Sequence, residues 1–169
     1  MDYAAVRDSI VTGSATVMVS TLHPESIGDI AWSGSPAHLE NVALQLQRVS
    51  SGEVVYLVVR ADGRAVSKGG IDFTKEQGAG TIWQLATHEQ LEGLGLATQL
   101  IAKLEQHAVE RGLRKLRLDV ELDNPRAQRL YEHLGYRVTG RSDASWVTER
   151  PDGIRFLYST TVEAMEKLV

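Results

Sequence analysis

The chain has 169 residues, and 43% of them are apolar, which is enough to build one hydrophobic core of ordinary size. A net charge of −4 supplies no positive field that would hold a nucleic acid or an anionic membrane. There is no cysteine, which excludes disulfides, thiolate nucleophiles and cysteine-based zinc or iron–sulfur sites. No apolar run approaches the roughly 18 residues of a membrane-spanning helix. These features predict one cytoplasmic domain over residues 1–169, with neither nucleic acid nor membrane as a partner.

The chain begins with one predicted strand and one predicted helix. Residues 15–20 (ATVMVS) have the composition of a strand, and an irregular stretch follows them. Ser35 and Pro36 then form a helix start, because a serine side chain caps free amides and proline fits the first helical position. Apolar residues at a period of about 3.6 continue this helix, and we place its end at Ser51-Gly52.

The next segment predicts an antiparallel hairpin and a third strand. Two β-rich runs, 54–60 and 65–73, flank Ala61-Asp62-Gly63, a turn sequence that commonly joins antiparallel strands. A further strand is predicted over residues 80–87 (GTIWQLAT), and it leads directly into a glycine-containing stretch.

The second half alternates helices and strands. A long amphipathic helix follows the stretch 92–97 and ends at Arg111, with Gly112 beyond its end. Leu116 to Leu122 alternate apolar and polar residues, which is typical of a strand with one buried face.

The C-terminal part predicts a short helix and a second hairpin. Asn124 caps a helix that runs to Leu134. Two strands, 144–149 and 155–161, meet at the turn Pro151-Asp152-Gly153. The whole chain is therefore predicted to be mixed α/β.

The glycines at 93 and 95 indicate an anion site. Glycine lets the backbone approach a ligand closely, and the amides of the following helix start carry the positive end of its dipole. A P-loop is excluded, because Leu96-Ala97-Thr98 follows where that motif needs lysine. A dinucleotide fold lacks its third glycine, which here is Thr98. The same glycines also fit a tight turn that binds no ligand.

A longer pattern resembles the GNAT family of N-acetyltransferases, which bind acetyl coenzyme A (acetyl-CoA). Its pyrophosphate loop, Q/R-x-x-G-x-G/A, fits in two registers, beginning either at Gln90 or at Glu92. We prefer the register that begins at Glu92 and ends at Ala97. In that register the two core aliphatics that follow the loop in the family are Leu100 and Ile101. Glu92 then departs from the usual Gln or Arg.

The second motif of the resemblance is Asn124-x-x-Ala127-x-x-x-Tyr131, followed by Leu134-Gly135-Tyr136. It is similar to the N-x-x-A-x-x-x-Y ending of the family, and one helix and one strand separate it from the loop, as they do in the family. The resemblance implies the GNAT fold, a mixed but mostly antiparallel sheet between helices. In this fold the two middle strands part to admit the coenzyme.

The resemblance also implies the coenzyme-binding residues. Strand backbone would pair with the pantetheine arm, loop amides would hold the pyrophosphate, and the Asn of the second motif, which is also an N-cap, would contact the pantetheine. The implied residues are Leu85, Ala86, Thr87, Glu92, Gly93, Leu94, Gly95, Leu96, Ala97, Thr98 and Asn124.

The implied catalytic residues are Tyr131 and Asp119. Tyr131 matches the tyrosine that protonates the leaving thiolate in the family, although a purely packing role also fits its helix. Asp119 lies five residues before Asn124, where some relatives that acetylate protein N-termini carry the general base. A solvated strand-face acid is the alternative for Asp119, and we expect a strand amide of Leu85 or Ala86 to meet the oxyanion.

Asp72, Gln84 and His88 are lesser candidates for the base. We place the acceptor site among the segment Asp29–Ser35 with Trp32, the helix that begins at Pro36 and the C-terminal hairpin with Trp146.

The predicted function is transfer of an acetyl group from acetyl-CoA to a primary amine of a small molecule or peptide by direct attack. The five histidines show no metal-binding spacing, so we expect no metal. The resemblance leaves room for a homodimer. Three alternatives stay open. They are a transferase of a longer acyl group, a noncatalytic acyl-CoA sensor or interaction module, and a dinucleotide-binding domain, which NAD rather than coenzyme A would stabilise.

Overall fold

A computed structural model describes residues 2–169. Its centre is a seven-stranded sheet with strand order β1-β2-β3-β4-β5-β7-β6. The helices are α1 (Tyr3–Val11), α2 (Pro36–Leu46), α3 (Leu96–Glu110) and α4 (Pro125–His133). The strands are β1 (Val17–Thr21), β2 (Val54–Ala61), β3 (Arg64–Asp72), β4 (Ala79–Thr87), β5 (Lys115–Glu121), β6 (Arg137–Glu149) and β7 (Arg155–Leu168). Pro24–Ser33 forms 3-10 turns between β1 and α2.

The sheet confirms the predicted fold class. Every pair of neighbouring strands is antiparallel except β4 and β5, which run parallel in the middle of the sheet. The connection from β4 to β5 passes through α3, because parallel strands need a long crossover.

Apolar clusters cover both faces of the sheet. In β2, Leu57 and Val59 belong to a larger cluster that includes buried residues of α1 and α3, and we call this side the α3 face. Tyr56 and Val58 belong to a smaller cluster with residues of α2 and the 3-10 turns, and we call that side the α2 face. The alternation along β2 follows from the two-residue period of a strand.

The predicted ends of three elements were wrong. The helix that begins at Pro36 stops at Leu46, and irregular turns rather than further helix lead to Gly52. The last two strands were predicted over 144–149 and 155–161 but cover Arg137–Glu149 and Arg155–Leu168. Pairing decides these lengths, since the C-terminal half of β7 lies between β5 and β6 and hydrogen-bonds to both.

Helix α1 was not predicted at all. Its N-cap is Asp2, whose carboxylate accepts a hydrogen bond from the Ala5 amide at 2.8 Å. Val6 is its one fully buried residue among the nine in the helix, so the apolar period is too weak to read from sequence. Arg7 on this helix donates to the Gln90 carbonyl at 2.7 Å and so ties α1 to the start of the glycine loop.

Candidate active site

The two parallel strands in the middle of the sheet separate along their length. They pair only over Ala79–Thr81 and Lys115–Arg117, near the start of both strands. Beyond Thr81, β4 keeps pairing with β3, and β5 keeps pairing with β7. A cleft therefore opens between β4 and β5 toward their C-terminal ends.

A bulge in β4 turns its last residues toward this cleft. Trp83 pairs with Gly70 and Ala86 pairs with Lys68, so two residues of β4 oppose one residue of β3. Gln84, the extra residue, has a φ of 55°, a left-handed conformation that is uncommon outside glycine. The bulge reverses the alternation of side chains, and Leu85 thereby points to the α3 face.

The glycine loop ends in a helix start with free amides. Gly93 and Gly95 both have a φ of 79°, which other residues adopt only with strain. Gly95 is the N-cap of α3 and provides no side-chain cap. The first amides of α3 therefore have no acceptor within the helix, and they coincide with the positive end of its dipole.

The bulge, the loop and α4 enclose one cavity of about 400 Å³ on the α3 face. It extends from the end of β4 past the loop to the first turns of α4. Its lining residues are Ser67, Leu85, Ala86, Thr87, Leu91, Glu92, Gly93, Gly95, Leu96, Ala97, Thr98, Leu100, Ile101, Asn124, Arg126, Ala127, Leu130 and Tyr131.

This cavity brings together every residue predicted to bind the coenzyme except Leu94. Leu94 instead packs against the larger core cluster. Asn124 lines the cavity at the start of α4, and its side chain caps that helix by accepting from the Ala127 amide at 3.2 Å.

Tyr131 lines the cavity from α4. Its ring contacts Tyr136 edge-on, with 6.3 Å between the ring centres. Within residues 2–169 its hydroxyl has no hydrogen-bond partner, and burial raises the pKa of the phenol. The hydroxyl therefore keeps its proton at neutral pH and is free to donate it to a group inside the cavity.

Asp119 does not line the cavity. Its neighbours Leu118 and Val120 face the larger core cluster, so Asp119 lies on the α2 face of β5. Its side chain is 47% exposed, and one carboxylate oxygen lies 3.7 Å from the Arg117 guanidinium.

Sequence reasoning missed a charged pair at the mouth of the cavity. Arg126 of α4 donates to the Glu92 carboxylate of the loop, and its guanidinium would lie 3.6 Å from a Cβ added at Gly93. The two residues are 34 positions apart in the chain, so no local sequence pattern indicates that they form a pair. It links the glycine loop to α4 across the cavity.

The lesser candidates for a base are engaged elsewhere. The Asp72 carboxylate accepts from Arg48 at 2.7 Å and from Thr74. Burial alone would raise the pKa of Asp72, but these hydrogen bonds outweigh it and hold the pKa below its usual value. His88 stacks on Tyr3 with 3.7 Å between ring centres and accepts from a backbone amide through Nδ1.

The two tryptophans assigned to the acceptor site differ in environment. Trp32 is half-buried and donates through Nε1 to the Ala65 carbonyl at 3.2 Å. Trp146 is 42% exposed on β6 and packs on Tyr158. The hairpin that carries Trp146 is tied to α2 by the ion pair of Arg155 with Glu40.

Residues 2–169, the described part of the chain, hold neither a group of metal ligands nor a membrane-spanning helix. No three side chains of His, Asp or Glu are grouped closely enough there to hold a metal ion. No helix in that range combines the length and the apolar character needed to span a membrane.

Comparisons with known proteins agree with this fold. A sequence model of the acetyltransferase (GNAT) family matches residues 25–136. An IAA acetyltransferase from Bacillus cereus superposes with a TM-score of 0.69 at 15% identity, covering 91% of this chain and 100% of that one. The PaiA N-acetyltransferase from Thermoplasma acidophilum, solved with coenzyme A, gives 0.68 at 14% identity, covering 91% and 99%. The ribosomal-protein-S18-alanine N-acetyltransferase from Escherichia coli gives 0.65 at 16% identity, covering 91% and 94%.

Proposed function

The chain belongs to the GNAT acetyltransferase family and is an acyltransferase, and from this premise we propose that it moves the acetyl group of acetyl-CoA to a primary amine. The acceptor is the amine of a small molecule or peptide, and the attack is direct. One observation carries the proposal: the cavity joins a strand edge, a helix start with free amides and an unpaired tyrosine hydroxyl.

The cavity suits each part of the coenzyme. The backbone of Leu85–Thr87 borders the cleft, where an extended pantetheine arm would hydrogen-bond to it as an added strand. The amides of Glu92–Ala97 and the Thr98 side chain would hold the pyrophosphate. Because backbone amides provide most of this binding, Glu92 in place of Gln or Arg leaves it intact.

The charge of Glu92 is offset by its neighbour. A lone carboxylate beside a pyrophosphate would repel it, but the ion pair with Arg126 neutralises Glu92 at the mouth of the cavity. The Arg126 side chain is 62% exposed, so the guanidinium is also accessible to a phosphate oxygen.

The reaction forms one C–N bond and breaks one C–S bond. A neutral amine attacks the thioester carbonyl, and the carbonyl oxygen carries the negative charge until the coenzyme thiolate leaves. The thiolate takes the proton of the Tyr131 hydroxyl, and the proton released by the amine restores the tyrosine through solvent. The products are one amide and one free coenzyme thiol.

Deprotonating the amine needs a base. A lysine-like amine has a pKa of about 10.4, so its neutral form is scarce at pH 7. We propose Asp119 as the first acceptor of this proton, because it faces the α2 side, which the coenzyme cavity does not occupy. One oxygen of its carboxylate lies 3.7 Å from the Arg117 guanidinium.

The test is release of coenzyme thiol from acetyl-CoA in the presence of primary amines. The panel contains alkyl diamines, amino acids and short peptides with free amino termini, and mass spectrometry identifies the acetylated product. We expect at least one amine to yield equimolar thiol and amide. Coenzyme binding without transfer to any amine would instead favour the sensor, and preferential use of succinyl-CoA would favour a longer acyl group.

A further inference from the structure

A buried lysine lies directly behind the β4 bulge. Lys68 of β3 has no solvent-exposed surface, and it pairs with Val58 of β2 and so points to the α2 face. No carboxylate is within salt-bridge distance of its ammonium among residues 2–169. A buried ammonium without a counter-ion is costly, so packing alone does not account for a lysine at this position.

Three neutral acceptors surround the Lys68 ammonium. It donates to the Gln84 carbonyl at 2.7 Å, to His38 Nε2 at 2.9 Å and to the Tyr56 hydroxyl at 3.2 Å. The Tyr56 hydroxyl donates its own proton to the Gln84 side chain at 2.9 Å, so its oxygen is free to accept. Each of the three ammonium protons therefore has one acceptor, which favours the charged form of Lys68.

His38 completes this arrangement only as a neutral ring. Burial and the nearby Lys68 lower the pKa of His38 to about 4, so the ring is uncharged at neutral pH. Because an ammonium only donates, Nε2 is the ring nitrogen that accepts. Burial lowers the pKa of Lys68 to about 7. The ammonium therefore changes charge within the range in which enzymes are assayed.

The shortest of these bonds acts on the peptide unit that faces the cavity. The Gln84 carbonyl and the Leu85 amide belong to one planar trans peptide, in which C=O and N–H point in opposite directions. Because the carbonyl points toward Lys68 on the α2 face, the Leu85 N–H points away from it. Leu85 lines the coenzyme cavity on the other face.

We propose that Lys68 is a positioning residue that holds the β4 bulge and polarises the Gln84–Leu85 peptide, so that the Leu85 amide becomes a stronger donor to the thioester oxygen. This inference rests on the proposed acetyl-CoA chemistry. A charged donor on the carbonyl strengthens the hydrogen bond that the amide of the same peptide makes, since bonds in a chain polarise one another. A preorganised donor of this kind lowers the energy of the developing oxyanion.

The frequency of the thioester carbonyl stretch of bound acetyl-CoA measures this polarisation directly. Isotope-edited infrared spectroscopy with acetyl-CoA labelled by ¹³C at the thioester carbonyl isolates that band and needs no amine acceptor. We expect the bound band of the wild type to lie at lower frequency than in water. Lys68→Met, which keeps the length of the side chain, should lose most of this shift while still binding the coenzyme.

Tyr56→Phe is the matched control for Lys68→Met. It disturbs the same buried cluster but leaves the bond from the ammonium to the Gln84 carbonyl, so we expect its band to stay near that of the wild type. With an active acceptor in hand, kcat should fall about tenfold or more in Lys68→Met and much less in Tyr56→Phe. The KM for acetyl-CoA should change little in either.

A pH series on the wild type tests the role of Lys68 without depending on whether a variant folds. We expect the band to move to higher frequency as the pH rises from 6 to 9, with a midpoint near 7, and to stay fixed in Lys68→Met. The titratable groups that face the ammonium are His38 from α2 and Tyr56 from β2. Neither interferes, because the pKa of His38 is lowered to about 4 and burial raises that of Tyr56.

The outcomes separate the two proposals. A wild-type band that is independent of pH and equal to that of Lys68→Met would overturn the role of Lys68 and leave acetyl transfer intact. A pH-dependent band in a protein that acetylates no amine would support Lys68 and overturn the proposed transfer. Absence of coenzyme binding in the wild type would overturn both.

Discussion

The two faces of strand β4 are built in different ways. On the α3 face the cavity is lined by Leu85–Thr87, by the loop before α3 and by residues of α3 and α4. On the α2 face the side chains of His38 from α2 and Tyr56 from β2, together with the Gln84 carbonyl of β4, surround the Lys68 ammonium. The α3 face offers backbone amides, which are present whatever the side chains are. The arrangement on the α2 face depends on the side chains of His38, Tyr56 and Lys68.

This difference between the two faces separates coenzyme binding from the rate of acetyl transfer. Backbone amides at a helix start suit the coenzyme, which does not vary, and they tolerate changes of side chain such as Glu92. Side chains on the opposite face can set the strength of one peptide dipole and the chemistry of the acceptor. Substitutions on the α3 face should therefore change coenzyme affinity, and substitutions of Lys68 or Asp119 on the α2 face should change kcat. Tyr131 is the exception, because its side chain enters the cavity from the α3 face.

The largest expected effect is loss of coenzyme binding in Gly95→Trp. An indole at this position would fill the mouth of the loop, and the φ of 79° would strain any side chain. Gly112→Trp is the control, because Gly112 has a nearly equal φ of 78° and open space around it but lies beyond the far end of α3. Calorimetry should show at least about a hundredfold weaker binding of coenzyme A for Gly95→Trp, or about 3 kcal/mol. Equal affinities of the two variants would place the pyrophosphate elsewhere.

The next effect concerns Tyr131 as the acid. Tyr131→Phe removes the proposed proton donor to the thiolate, so kcat should fall about a hundredfold with coenzyme affinity unchanged. Tyr136→Phe is matched to it, since the Tyr136 hydroxyl donates to Glu105 at 2.9 Å outside the cavity. That variant should lose about 1 kcal/mol of unfolding free energy and keep its kcat. A fully active Tyr131→Phe would leave this residue only a packing role.

A smaller effect is expected for Asp119→Asn. If Asp119 takes the amine proton, kcat/KM should fall about tenfold at pH 7. Raising the pH should restore much of the loss, because the fraction of neutral amine then increases. Asp123→Asn makes the same charge change just beyond β5 and should have no effect. Parallel pH–rate profiles for the wild type and Asp119→Asn would assign the proton to water instead.

The smallest effects should come from the pair at the cavity mouth, and they should have opposite signs. Arg126→Ala leaves the Glu92 carboxylate unneutralised beside the phosphates, so coenzyme affinity should fall about threefold to fivefold. Glu92→Gln removes that carboxylate and frees Arg126, so affinity should rise by a similar factor. Titrations at low and high salt should show both differences shrinking as salt screens the charges. Changes of the same sign in both variants would contradict this account.

The sequence was sufficient to predict the elements whose signals are local. Strands β2 to β5 and helices α2 to α4 were predicted because periodicity, caps and turn residues lie within each segment. The full length of β6 was missed because its first residues, Arg137–Asp143, are exposed and, apart from Val138 and Gly140, polar. Only pairing with β7 makes them a strand, and that partner lies far along the chain.

The same distinction holds within the site. The loop glycines, Asn124 and Tyr131 form contiguous motifs, and the structure places all of them around one cavity. The Lys68 cluster unites residues separated by up to 46 positions, from His38 to Gln84, and lysine on a strand carries no signal of burial. The bulge that makes the cluster effective depends on register between β3 and β4, which sequence alone does not specify.

The most direct test of the central claim, that acetyl-CoA occupies the cleft between β4 and β5, is a thermal-shift measurement on the wild type. Coenzyme A, acetyl-CoA and NAD are compared at equal, saturating concentration. The account predicts a clear rise of Tm with both coenzyme A compounds and none with NAD, since a ligand that binds only the folded state stabilises it. A shift with NAD alone, or none with any of the three, would contradict it.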